Sequence, residues 1–349
     1  MNRRTFLRSS LLRSSLLGSS ALAGCAIDRR PRLNIFNWSD YISPDTIPRF
    51  EREFGCRVRY AIYESNEEML ARVMSGNSGW DVVFPTDYLV KPMLANALLA
   101  ELHRPALPNL VNLDPAFQTP KWDPELRWSV PYMVTAAGIA YNRKLVPPPT
   151  AWADLWSPSL RGRITMLDDP FDVMGACLKK LGRSINSNDP ADLKAAQREA
   201  IGQKPLLRAY LNAEVRDQLV SGDVLAAQMW NTTAQQAMAA SPAIGFVYPR
   251  EGYAVYPDCM VILRESKHQE LARQFLNFML RPEIAAANAV AARTATTNLA
   301  ARAHLPEEFR KNETLFPPAP ILALGEWAET LDPGTQRLRD RLWTEIKSA

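Results

Sequence analysis

The chain has 349 residues, of which 47% are hydrophobic and 22% charged, enough for about two domains with cores of their own and the composition of a soluble globular protein. Its formal net charge of +4 is equalled by Arg3, Arg4, Arg8 and Arg13 in a leader that holds no acid, so the remainder is near neutral and nucleic-acid binding loses its electrostatic support. Three widely spaced histidines and four cysteines with no Cys-x-x-Cys pair give a histidine metal site, a catalytic triad or a disulfide framework little to build on.

The leader carries its own information. Asn2-Arg3-Arg4-Thr5-Phe6-Leu7 looks like a twin-arginine export signal, and Leu22-Ala23-Gly24-Cys25 resembles a bacterial lipobox. The expectation is that residues 1–24 are removed and that Cys25 becomes a lipidated first residue, anchoring the protein to a membrane surface outside the cytoplasm. An ordinary cleaved signal with an incidental cysteine is the alternative. After the leader no eighteen consecutive residues are apolar, so no spanning helix is expected. Cys56, Cys177 and Cys259 remain, and one bridge among them stays open.

From residue 32 onward strands and helices alternate. Asn34-Ile35-Phe36 is a short apolar strand that runs into Asn37-Trp38-Ser39-Asp40-Tyr41. In open α/β sheets small molecules bind beyond the carboxyl ends of the strands, and Trp38, Ser39, Asp40 and Tyr41 stand there. Taken singly, the two aromatics read equally well as packing residues and Asp40 as a turn former. Together they supply the ring faces and acceptors that an aliphatic cation needs.

Ser43 followed by Pro44 reads as a helix N-cap with proline at the first position. Ile47, Phe50 and Phe54 follow at helical spacing, and Gly55 supplies the stop. Val58, Tyr60 and Ile62 alternate as a strand, after which Ser65-Asn66-Glu67-Glu68 reads as a capping box for a helix with Met69, Leu70 and Val73 on its apolar face. The third strand, Trp80-Asp81-Val82-Val83-Phe84-Pro85, is a continuous apolar run suited to a doubly covered parallel sheet. It ends in Thr86-Asp87-Tyr88, a second set of polar groups at a strand end, although Asp87 by itself reads first as the N-cap of a helix over 88–98.

Residues 103–128 are rich in proline and turn formers, and Arg127-Trp128-Ser129-Val130-Pro131-Tyr132 crosses out of the first unit. Gly138-Ile139-Ala140-Tyr141 opens a second. A strand at Ile164-Thr165-Met166-Leu167 ends in Asp168-Asp169-Pro170-Phe171-Asp172, where Asp169 is a candidate ligand group or an N-cap, and Asp172 a ligand group or the third-position acid of the next helix. Another strand, 224–230, ends on Trp230. The extended segment 253–262 carries Tyr256 and Asp258 on one side by the two-residue period, with Pro257 arguing for a bend or an edge. The tail reads as helices over 270–280, 282–292 and 335–347.

At Asn37-Trp38-Ser39-Asp40-Tyr41, Tyr63-Glu64-Ser65-Asn66-Glu67, Asp81-Val82-Val83-Phe84-Pro85, Met229-Trp230-Asn231 and Asn277-Phe278-Met279-Leu280-Arg281-Pro282-Glu283 the chain resembles the bacterial spermidine/putrescine-binding proteins of polyamine ABC transporters. The resemblance implies an α/β, two-lobed periplasmic-binding-protein fold with a ligand cleft between lobes and a crossing-strand hinge. Lobe 1 would be 30–136 plus 258–300, and lobe 2 would be 137–257 plus 301–349. It also implies a periplasmic monomer that binds a polyamine or related cationic amine without cofactor or metal, performs no catalysis, and delivers its ligand to a membrane permease.

By the same resemblance Trp38, Ser39, Asp40 and Tyr41 match the first-strand loop, and Thr86 and Tyr88 match a serine-and-aromatic loop with Asp87 between them. Asp169 and Asp172 match a pair of acids, Trp230 and Tyr256 match stacking aromatics, and Asp258 matches the principal amine-binding aspartate. The chain departs from the family at Thr294, where a tyrosine is usual, at Ala328, where spermidine binders carry glutamine, and at Thr233, where putrescine binders carry an acid. These departures keep open a receptor or sensor of the same fold for another small solute. An exported hydrolase using Asp168, Asp169 and Asp172 as acid and base is the reading from a different class.

Overall fold

Alternation in Leu33-Asn34-Ile35-Phe36 sets the first strand, β1 (Arg32–Trp38): Leu33 and Ile35 enter one apolar core and Phe36 another, so both faces of the strand are covered. The computed structural model describes residues 28–349, and the export signal and Cys25 lie outside the described residues. Helix α1 (Thr46–Phe54) packs Phe50 into the Leu33 side and stops at Gly55, whose φ of 61° places it in the left-handed region. The Ser43–Pro44 start expected from the sequence is displaced. Asp45 holds the cap position without a side-chain cap, and Asn288 Oδ1 accepts both the Ser43 amide and the Thr46 hydroxyl, a long-range acceptor in place of a local one.

Strand β2 (Arg57–Tyr63) lies parallel to β1. Helix α2 (Asn66–Met74) is capped by Ser65, whose hydroxyl accepts the Glu68 amide at 3.1 Å, while the Glu68 carboxylate reaches back to the amide of Glu64 instead of Ser65. Strand β3 (Val82–Val83) completes a parallel triplet with β1 at its centre. The helix expected over 88–98 is a 3-10 turn, Asp87–Leu89, followed by α3 (Val90–Ala95).

The crossing segment and the strand expected after it are one element, β4 (Val130–Asn142), of 13 residues. A second parallel triplet follows: β5 (Ile164–Met166) and, after α4 (Pro170–Lys180) and α5 (Pro190–Gln203), β6 (Leu207–Tyr210); then α6 (Val215–Ser221) and β7 (Ala226–Trp230). Next come α7 (Asn231–Ala240), β8 (Ile244–Val247), the long β9 (Tyr253–Ile262), α8 (Gln269–Met279), α9 (Pro282–Ala292) and β10 (Ala295–Thr296). The described chain closes with α10 (Glu307–Arg310), α11 (Ala319–Leu322), β11 (Gly325–Trp327) and α12 (Pro333–Ser348).

The strand order β2-β1-β3-β9-β4-β7-β5-β6 puts the antiparallel pair β9–β4 between the two parallel triplets. Strand β4 changes partner within its length, pairing with β9 from Val130 to Ala136 and with β7 from Ala137 onward. This is a two-lobed α/β fold joined by crossing strands. Pro257 is not at an edge of the sheet: it pairs with Val134, and it falls between the stretch of β9 held by β11 (Tyr253 to Val255) and the stretch held by β3 (Val261 and Ile262), where a missing amide interrupts no two-sided ladder. Cys177 and Cys259 are free and buried, and Cys56 is buried.

Candidate functional site

Because β1 and β3 are parallel neighbours, their carboxyl ends open on the same side, and the chain that leaves them forms one wall of a cleft with about 690 Å³ of empty space. Trp38, Ser39, Asp40 and Tyr41 line it from the end of β1, and Thr86 and Tyr88 from the turn after β3. The opposite wall is built by Asp169, Phe171 and Asp172 at the start of α4 and by Trp230 at the end of β7. Tyr256 and Asp258 reach the cleft floor from β9, with Thr135 from β4 in register opposite Tyr256.

Each polar group has a defined setting. Asp258 is buried, and its two oxygens accept the Tyr41 hydroxyl at 2.7 Å and the Thr86 hydroxyl at 2.9 Å. Burial nevertheless pushes its carboxyl up to about 6, the two hydroxyls opposing the rise. Asp169 caps α4, accepting the amides of Phe171 at 2.8 Å and Asp172 at 3.0 Å. Asp172 gives a single oxygen to both the Trp230 indole and the Tyr256 hydroxyl, each at 2.8 Å, and its other oxygen, buried on the cleft wall, has no partner among the described residues. Burial raises both acids, and the charge of Asp169 raises Asp172 further.

The cleft walls also touch. The rings of Tyr88 and Phe171 stack with centroids 5.1 Å apart, the Trp38 and Trp230 indoles meet edge to face at 6.4 Å, and Asn212 Nδ2 donates to the Glu64 carbonyl at 3.3 Å. At the mouth Asp40, with its side chain 66% exposed, pairs with Arg216 at 3.5 Å. Trp38 is fixed by its indole N–H, which donates to the Phe84 carbonyl at 2.8 Å.

Among the described residues the lining includes five carboxylates, those of Asp40, Glu64, Asp169, Asp172 and Asp258, and no lysine, arginine or histidine. Such a cavity favours a cation and resists an anion. Its aromatic faces supply the apolar contact and ring quadrupoles that an alkylammonium chain prefers.

Of the residues read from the sequence, Asp87 stands apart. It does not line this cleft; its carboxylate accepts the Tyr88 amide at 2.8 Å and faces a separate cavity. The 3-10 turn that places Thr86 and Tyr88 at the cleft directs the residue between them to the other side. Thr233 lines the cleft, whereas Thr294 is buried with its hydroxyl on the Ala292 carbonyl and Ala328 lies on the wall of the separate cavity.

Sequence reasoning did not single out Asn66, Thr135 or Phe171, all of which line the cleft. Asn66 donates to the Thr86 hydroxyl and to the Tyr88 hydroxyl, both at 2.9 Å, tying the second loop to α2. The two-residue period of β4, once extended through Thr135, is the signal that marks that residue.

The model of the bacterial extracellular solute-binding protein family matches residues 46–317. A putrescine/cadaverine-binding protein of Pseudomonas aeruginosa is 34% identical over 330 residues, covering 90% of this chain and 93% of that protein. The spermidine/putrescine-binding periplasmic protein of Escherichia coli is 34% identical over 303 residues, 86% of this chain and 87% of the relative. Among solved structures, the Tp0655 lipoprotein of Treponema pallidum superposes with a TM-score of 0.80 at 27% identity, covering 90% of this chain and 99% of its own. The fold and the cleft define a solute-binding protein, and the chain belongs to the bacterial extracellular solute-binding protein family.

Proposed function

We propose that this protein is the extracytoplasmic receptor of an ABC importer and binds a polyamine, putrescine or a spermidine-like amine, in the cleft. The observation that carries this reading is the all-acid charge of the lining together with the unpartnered buried oxygen of Asp172. Transfer of an ammonium from water requires acceptors and preferably a carboxylate, and cation–π contacts of about 0.5–2 kcal/mol each are too weak to offset it alone.

In this reading Asp258, held by Tyr41 and Thr86, takes one ammonium, and Asp172 with Asp169 takes the other. The rings of Trp38, Tyr88, Trp230 and Tyr256 enclose the methylene chain, and Ser39 and Asp40 border the mouth. The names of the relatives support the ligand class, each naming an amine for that protein.

The clamshell closes because only the closed state lets one ligand touch both walls. Lobe 1 then comprises 30–136 plus 258–300 and lobe 2 comprises 137–257 plus 301–349, in keeping with the change of partner in β4. The receptor acts as a monomer, catalyses nothing and passes its amine to a membrane permease. Export by the twin-arginine-like leader and lipidation at Cys25 complete the proposal; among the described residues no helix is long and apolar enough to cross a membrane.

Calorimetry of the mature chain against putrescine, cadaverine, spermidine, spermine, agmatine and basic amino acids tests the assignment. Binding of at least one polyamine well below millimolar is expected. Failure of every amine to bind below about 1 mM, a level worth ~4 kcal/mol, would sink it.

A further inference from the structure

Behind Tyr88 lies a second cavity, with about 630 Å³ of empty space, to which the proposed function assigns no role. The turn after β3 contributes Asp87, helix α3 contributes Lys91, the loop before β4 contributes Lys121 and Trp122, and the connection from β11 to α12 contributes Ala328 and Glu329. These segments are tied together: Lys121 pairs with Glu329 at 2.8 Å, and the Thr330 hydroxyl donates to the Tyr88 carbonyl at 3.3 Å.

Asp87 is 2% exposed. One carboxylate oxygen accepts the Tyr88 amide, and the neighbouring charge that acts on the group is that of another carboxylate, Asp258. Lys121 is engaged by Glu329, and Lys91 stands exposed. A carboxylate taken out of water without a cation is costly to keep, and here it borders an accessible cavity. One acid suits a single ammonium head. It does not suit a metal ion, and the described residues contain no cluster of three or more metal-ligating side chains.

We propose that this cavity is a second ammonium site, in which Asp87 pairs with the head of a primary aliphatic amine alongside Trp122. Ala328 leaves room for the chain, since its side chain ends at the β-carbon. The site is separate from the cleft and does not depend on which solute the cleft holds. Burial raises the Asp87 carboxyl well above its ordinary range, so uptake of an ammonium there releases a proton.

The test is equilibrium dialysis of labelled putrescine against the mature chain and its Asp87→Asn, Asp172→Asn and Lys91→Gln variants, with circular dichroism as the check on folding. At millimolar putrescine the parent chain is expected to hold about two molecules and Asp87→Asn about one, the weaker being lost while the tighter keeps its affinity within about twofold. Asp172→Asn is expected to lose the tighter one. One molecule per chain in both the parent and Asp87→Asn overturns the proposal. So does one in the parent with two in Lys91→Gln, which would assign the cavity to the chain's own lysine. Tight uptake that survives Asp172→Asn would count against the cleft assignment and leave the Asp87 result to be read by itself.

Discussion

Asp258 and Asp87 are buried carboxylates that flank the same turn, and they differ in what they face. Asp258 opens on the cleft between two hydroxyl donors, whereas Asp87 turns behind Tyr88. Truncating a buried group that pairs with a charge costs about 2–5 kcal/mol, so Asp258→Ala is expected to weaken putrescine binding in the cleft by at least about 30-fold. Asp87→Ala is expected to change it by less than about threefold, and titration calorimetry of the two variants side by side decides; equal losses would reverse the roles given to them. Tyr256 acts through Asp172. Its hydroxyl helps hold that carboxylate in the charged form, so Tyr256→Phe raises the Asp172 pKa further and weakens binding more at pH about 6 than at pH about 8. A loss independent of pH would mean that the phenol serves only as packing. Asp258 was legible in the sequence because a two-residue period puts it beside Tyr256, while the direction of Asp87 was not. In a turn the neighbouring residues set side-chain direction, and no pattern in Thr86-Asp87-Tyr88 encodes it.

At the scale of elements, caps and periods were legible where the interactions are local. Ser65 and Asp169 cap their helices as their sequence contexts suggest, and Phe50, Met69 and Val73 take the buried faces assigned to them. The Ser43 cap failed because the helix begins only at Thr46, whose amide goes to the Ser43 carbonyl, while the Ser43 amide turns to Asn288, remote in sequence. The full span of β4 was hidden because its first half begins within a proline-bearing segment and its second half changes partner. Gly138 lies in that second half, opposite Met229. A β-carbon there would come within 2.3 Å of Phe246 Cζ and 2.7 Å of the Val247 carbonyl, and backbone cannot yield as a side-chain end can. Gly138→Ala is therefore expected to lower stability by about 1–3 kcal/mol, seen as a lower urea midpoint at unchanged slope. An unchanged midpoint would show that the β4–β8 contact can open without cost.

Across the whole molecule, the two walls share one electrostatic problem. Asp258 on one side and Asp169 and Asp172 on the other all have carboxyls raised by burial, Asp258 to about 6. A raised carboxyl means that the folded, empty chain binds more protons than the unfolded chain above the ordinary aspartate range. The stability these groups lend is full below that range and is lost as pH rises through their folded values. An ammonium in the cleft reverses the preference by stabilising the charged carboxylates, so binding expels protons and strengthens with pH. Putrescine affinity is expected to rise from pH about 5 to beyond pH about 8, because burial holds the Asp258 carboxyl at about 6 and the Asp172 carboxyl at about 8, with release of at least about one proton per ligand near pH 6 when calorimetry is repeated in buffers of different ionisation enthalpy. The melting-temperature gain from saturating putrescine should grow over the same interval, because the empty chain loses stability while the complex does not. Affinity equal at the two pH values, with no proton released, would mean that the acids do not carry the ligand's charge and that aromatic enclosure dominates binding.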